Sequence, residues 1–234
     1  MKRLSVLVEG ESEEEFVREL LAPHFYQLGF AEVSAKLLGN ARARSRRGGI
    51  TKWSRAQRDI LHRLKGDPGV YVTTFVDYYA LPQGDKGGWP GRDAAGKLPF
   101  AAKASTVEEA VADAITKQMN GKMATGRFVP FVMMHEFEAL LFSDCQRFAE
   151  GIYAPELQPA FQEVRDQFNS PEEINDHWKT APSRRILTIS PSYKKVLLGN
   201  LAALNIGLDR MKEQCAHFAG WIEKLESLEE IPGS

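Results

Sequence analysis

Residues 4–21 read LSVLVEGESEEEFVRELL, and the first half of this stretch decides the fold class. Leu4 to Val8 is a short apolar run with β-branched residues, which reads as a strand buried on both faces of a parallel sheet. Glu9-Gly10 ends it. Ser12 followed by Glu15 has the spacing of a capping box, and Phe16, Val17, Leu20 and Leu21 recur at helical intervals as far as Pro23. A strand, a tight turn and a helix within the first 22 residues announce an α/β protein.

Downstream segments repeat the pattern. A weaker strand is expected over Ala31–Leu38 and a helix from Lys52 to Leu64, stopped by Gly66-Asp67-Pro68-Gly69. Val70–Val76 (VYVTTFV) is the most strand-like run of the chain and delivers Asp77 at its end. Residues 80–100 are rich in glycine and proline and predict a long loop beside Asp77. Thr106 with Glu109 is a second capping box, opening a helix to Met119, and Phe128–Met134 is a further strand leading into His135-Glu136-Phe137-Glu138. From Pro155 onward the pattern is helical, with segments over Glu156–Phe168, Lys194–Leu204 and Leu208–Leu225, and Ile231–Ser234 is expected to fray. Alternating strands and helices predict a mostly parallel sheet flanked by helices over residues 1–150. A helical region over 151–234 is expected to pack on that core within one compact domain.

Composition excludes several classes of function. The 234 residues carry 43% hydrophobic and 26% charged side chains, as an ordinary globular domain does. Thirty basic residues balance 31 acidic ones, so any nucleic-acid binding must come from a local patch. Cys145 and Cys215 fit no metal or redox spacing and read as buried, reduced thiols of a cytoplasmic protein. No run approaches the ~20 apolar residues of a membrane span. Gly84, Gly87, Gly88 and Gly91 lack the context of a phosphate loop, so no ATP site is expected, and His135, His177 and His217 have no zinc spacing.

Ligands of open α/β sheets collect at the carboxyl ends of the strands, and three such ends here carry acids: Glu9, Asp77, and the pair Glu136 and Glu138. A lone acid after a strand is ordinary turn chemistry. Several converging carboxylates repel one another unless a cation neutralises them, and Mg²⁺ or Mn²⁺ is the natural partner of such oxygens. Glu13 lies four residues after Glu9 and can add a further carboxylate. Acids in a first helical turn are favoured by the helix macrodipole without any function, which explains Glu14 and Glu15 well.

Cations are the second ingredient. Arg44, Arg46 and Arg47 sit in a basic segment that is either a phosphate grip or a solvated loop. Ser183, Arg184 and Arg185 can clamp a phosphate or form a salt bridge to the acidic edge. Lys195 can neutralise a phosphoryl group, against the plainer reading of a helix start with solvent-facing lysines.

Taken together, VEGESEEEF, FVDYYALP, HEFEALLF and TAPSRRI resemble a bacterial family of unknown function often encoded beside ATPases. VEGESE is also similar to the first motif of TOPRIM domains of the OLD-nuclease and RloB-like groups. The resemblance implies a TOPRIM-like fold and a Mg²⁺- or Mn²⁺-dependent nuclease acting on DNA or RNA, in a defence system with an ATPase partner. It makes Glu9 the principal metal-site or general-base residue, Asp77 the first acid of a D-x-D motif, and Glu13 and Glu138 auxiliary ligands. Tyr79 stands at the second acid position of that motif, where Glu136, Glu138 or Asp85 can substitute. The alternative that this departure favours is a catalytically degenerate binding or regulatory subunit of an ATPase complex.

Overall fold

The computed structural model describes residues 1–39, 52–119, 126–174 and 178–231. β1 (Lys2–Val8) turns at Glu9-Gly10 into α1 (Glu11–Phe16), which continues through a π-helical turn at Val17–Leu21 into α2 (Ala22–Gln27). β2 (Phe30–Leu37), α3 (Trp53–Gly66) and β3 (Val70–Asp77) follow, then α4 (Arg92–Ala95) and α5 (Phe100–Gln118). β4 (Phe128–Val129) and β5 (Val132–Met133) complete an all-parallel, five-stranded sheet in the order β2-β1-β3-β4, with β5 also on β3. A 3-10 segment (Phe137–Ser143) leads into α6 (Cys145–Gly151), α7 (Gln158–Arg165), α8 (Pro182–Ile189), α9 (Lys195–Ile206), α10 (Leu208–Gln214) and α11 (Ala216–Glu226). The class is α/β with a helical C-terminal region.

Side-chain alternation along the buried strands divides the core into two layers. Leu4, Val6 and Val8 of β1 and Tyr71 and Phe75 of β3 pack with Phe16, Phe25, Phe218 and Trp221, so the N-terminal and C-terminal helices cover one face together. Leu7, Val70, Val72 and Val76 face the other way, onto Ile60 and Leu64 of α3 and Val107, Val111 and Ile115 of α5. Asp77 follows Phe75 by two residues and therefore emerges on the first face.

Several local expectations are corrected. Neither capping box forms. The first helix begins at Glu11 with extended Gly10 as its cap, and Ser12 is buried inside it. The long helix begins at Phe100, because FAAKA already favours helix, so Thr106 lies within it and its hydroxyl donates to Ala102 O. Pro23 does not stop the helix. The π turn just before it passes the Ala22 N–H to Val17 O, which places the proline where the helical bonding has already been reset.

Phe128–Met134 is not one strand. Pro130 has no N–H to donate and splits the run, and the Thr74 hydroxyl bridges the gap by bonding both Phe131 N and Phe131 O at 2.9 Å. Residues 80–100 are more ordered than a bare loop. They hold α4, whose buried Arg92 donates to Tyr78 O at 3.1 Å and Tyr78 Oη at 3.0 Å, covering the end of β3. Gly91 permits this with φ 75°, and a Cβ there would come within 2.6 Å of Thr106 O.

The expected helix over Leu208–Leu225 is broken at Cys215. Glu172 fills the break from the far side of the chain, accepting from His217 N at 3.0 Å and Phe218 N at 2.9 Å, and so caps α11. His217 is a structural tie that its helical context did not announce: Nε2 meets Glu108 Oε1 at 2.9 Å and Val132 O at 3.2 Å, and its ring stacks on Phe131. Burial opposes charge on this ring, but the bond to Glu108 and the charges of Glu108 and Glu172 outweigh it and raise its pKa.

A raised pKa in the folded state means that the stabilisation is complete below the unfolded value of about 6.5 and is lost as pH rises through the folded value. We therefore expect urea stability to fall between about pH 6 and pH 8 more steeply in the wild type than in His217→Gln. Equal slopes would show that the His217–Glu108 pair contributes nothing to the pH dependence.

Cys145 and Cys215 are buried and unpaired. Burial pushes the Cys145 thiol up to about 12 and that of Cys215 further still, which leaves both inert at neutral pH. Among the described residues no helix is long and apolar enough to cross a membrane.

Candidate metal centre

The parallel register brings the ends of β1 and β3 side by side, with Val8 opposite Phe75, so Glu9 and Asp77 meet beyond the last paired residues. Glu9 Oε2 accepts from the Asp77 N–H at 3.4 Å. The first turn of α1 adds Glu13, whose Oε2 would lie 3.0 Å from a Cβ at position 10, leaving room there for glycine. The 3-10 segment after β5 adds Glu138. Asp77, Glu13 and Glu138 are 6%, 3% and 0% exposed, whereas Glu9 is only half-buried, so water and ligands can reach the group from its side.

Among the described residues, one cation sits among these acids. Lys195 Nζ lies 3.0 Å from Glu138 Oε2 and 3.7 Å from Glu13 Oε1, while the side chain as a whole remains 40% exposed. Its backbone is held in place: Asn200 Nδ2, further along α9, donates to Ser12 O of α1 at 3.2 Å. Burial opposes the charge on Lys195, but Glu138, Asp77 and Glu13 more than offset this and keep the ammonium protonated far above neutrality.

A single ammonium does not balance the acids. Burial, then the charge of Glu13, pushes Glu9 up to about 7 despite Lys195. Burial does the same to Glu138, to about 7, with Glu136 and Glu13 adding to it. Asp77 is raised well above the carboxylate range by burial and by Glu9. Among the described residues, Asp77 Oδ1 and Glu138 Oε1 are buried without a hydrogen-bond partner. Buried polar atoms are rarely left so, and a cluster of carboxylates with orphaned oxygens and raised pKa values is the environment a cation relieves.

A family model, the domain of unknown function DUF4276, matches residues 8–226, which span every element from Glu9 to α11. The chain belongs to the DUF4276 family. No curated protein and no solved structure matches it. In this DUF4276 chain the other residues singled out from the sequence divide as follows.

Glu136 stands at the rim, where its Oε2 accepts from Ser183 N at 3.0 Å. This N-terminal amide of α8 is thus engaged by a carboxylate and is not free for a phosphate. Arg185 is likewise engaged, donating to Thr180 O at 3.0 Å and lying over Phe168. Arg184 is exposed nearby. Asp85 is exposed in the segment after β3, and Tyr79 lays its ring against His135, 4.9 Å between centroids. His135 is held neutral, its pKa lowered to about 3 by burial and by Lys103 and Arg92, so it is no proton carrier near pH 7. Arg44, Arg46, Arg47 and His177 lie outside the described residues.

Hard oxygen donors suit Mg²⁺ or Mn²⁺, and the orphaned Asp77 Oδ1 is a donor in want of a partner. Among the described residues no three His, Cys, Asp or Glu side chains are grouped so as to hold a metal ion between them. The fit is therefore to an ion with one or two carboxylates and a shell of water, as Mg²⁺ prefers. A polar cleft of about 610 Å³ between α6, α7 and α10 lies elsewhere and contains none of these acids. Its arginines are already engaged, Arg165 with Phe168 O and Arg210 with Glu213.

Lys195 was the residue that the sequence placed least well. A lysine that opens a helix opposes the macrodipole, and that unfavourable position was the available signal that carboxylates hold it.

Proposed function

We propose that this chain is a TOPRIM-like nuclease that depends on Mg²⁺ or Mn²⁺, with Glu9 and Asp77 as principal ligands and Glu13, Glu136 and Glu138 as the surrounding acids. The observation that carries this reading is the convergence of Glu9, Glu13, Asp77 and Glu138 at one sheet edge, with Asp77 Oδ1 and Glu138 Oε1 unpartnered. The relation to TOPRIM domains and a role beside an ATPase in cytoplasmic defence belong to the same proposal and are supported by the motifs alone.

Hydrolysis of a phosphodiester bonds a water oxygen to phosphorus, breaks the ester P–O bond and transfers a proton to the departing sugar oxygen. A bound divalent ion would activate the water and stabilise the leaving oxygen. The chain's own part is to hold the ion at Glu9 and Asp77 and to offer Arg184 at the rim to a phosphate of the strand.

The second reading, a degenerate binding subunit of an ATPase complex, is favoured by Lys195 among the acids and by Tyr79 in place of an acid. Labelled single-stranded and duplex DNA and RNA, incubated with Mn²⁺, separate the two. Cleavage by the wild type, stopped by chelation and absent in Asp77→Asn, is the expected result. Intact substrates throughout, from a protein that still binds Mn²⁺, would leave the subunit reading in possession.

A further inference from the structure

We infer that Lys195 takes the place of a second metal ion, so that the centre holds one divalent ion at Glu9 and Asp77 and a built-in ammonium at Glu13 and Glu138. The inference rests on the metal-dependent reading above and goes further, because it fixes how many ions the acids take and which of them are spoken for.

Three observations carry it. The ammonium bridges two acids from different elements, 3.0 Å from Glu138 and 3.7 Å from Glu13, which is where a cation shared between carboxylates would sit. It is not a swinging surface lysine. α9 is tied to the first turn of α1 through Asn200 and Ser12 O, and Gly199 lets the α9 backbone close onto Tyr193, where an added Cβ would be 2.5 Å from Oη.

The second observation is what remains once Lys195 is subtracted. Asp77 Oδ1 is 6% exposed at the residue and has no partner, and Glu9 beside it is the acid open to solvent. Glu138 Oε1 is also without a partner, but the other oxygen of that carboxylate holds the ammonium, so the donors clear of Lys195 are those of Asp77 and Glu9, enough for one ion with its water shell. The third is that Tyr79, two residues after Asp77 in the 3-10 turn Tyr78–Ala80, lays its ring against His135 and brings no carboxylate. A second divalent ion beside Lys195 would meet the ammonium's repulsion, and among the described residues the one other acid of the group, Glu136, is engaged with Ser183 N at the rim.

Removing the ammonium should therefore open a second site. Equilibrium dialysis with Mn²⁺, with free ion counted by electron paramagnetic resonance, gives the stoichiometry directly. One tightly held Mn²⁺ per chain is expected in the wild type and in Lys195→Arg, and two in Lys195→Met, with the fold of each variant checked by circular dichroism. Two ions in the wild type would overturn the inference while leaving the metal-dependent reading intact, and this count needs no variant to fold. One ion in a folded Lys195→Met would overturn it as well. No binding to wild type or variants would remove the metal reading and the inference together.

Discussion

Trp221→Ala is expected to lower the unfolding free energy by about 3–5 kcal/mol, the largest stability loss of any single substitution considered. The Trp221 ring is 2% exposed and stacks on Phe131 with centroids 4.3 Å apart and planes 9° from parallel. It also touches Phe75 and Phe218, and its Nε1 donates to Thr73 Oγ1 at 2.9 Å. One side chain of α11 thus meets β3 and the segment between β4 and β5. Truncation leaves a large cavity under the sheet and takes a donor from a buried hydroxyl. Trp221→Phe should lose less, because stacking survives and Thr73 still donates to Val129 O. Urea melts measure both. A loss below about 1 kcal/mol for the alanine variant would mean that α11 is an appendage and not part of the sheet's core.

Asp77→Asn should do two opposite things. Metal affinity should fall by at least about 10- to 100-fold, since losing a direct ligand must cost no less than losing a residue that merely orients one. The metal-free protein should become more stable by about 1 kcal/mol, or roughly 2–4 °C in Tm. The reason is that the Asp77 carboxylate is buried, lies next to Glu9 and has an oxygen without a partner, so its charge is a burden on the fold until a cation arrives. Asn has the same shape and no charge. Thermal melts with and without Mn²⁺ read both effects. A metal-free Asp77→Asn protein that melts well below the wild type would make Asp77 a structural group and not one maintained for a ligand.

The N-terminal strand, turn and helix, and the delivery of Asp77 by Val70–Val76, were legible because burial on both faces leaves an unbroken apolar run that glycine and acid residues punctuate. Boundaries were less legible where two signals competed. The capping boxes at Ser12 and Thr106 lost to Gly10 and to the helix-forming residues after Pro99. Pro130 was visible and should have split the Phe128–Met134 strand. The contacts that position Lys195 and cap α11 join residues far apart in the chain, and no local pattern encodes the pairing of Glu138 with Lys195 or of Glu172 with the start of α11. The acids of the site were readable from strand ends. Lys195 was singled out too, but for a phosphate and not for Glu13 and Glu138.

The most direct test of a metal centre at these strand ends is a calorimetric titration of Mn²⁺ into the wild type and into Glu9→Gln, which keeps the side chain's size while removing the acid at the open side. Saturable binding in the wild type, abolished in a Glu9→Gln protein of unchanged fold, is the expected result. A wild type that takes up no Mn²⁺, or a variant that binds it as well as the wild type does, would contradict a centre built on Glu9 and Asp77.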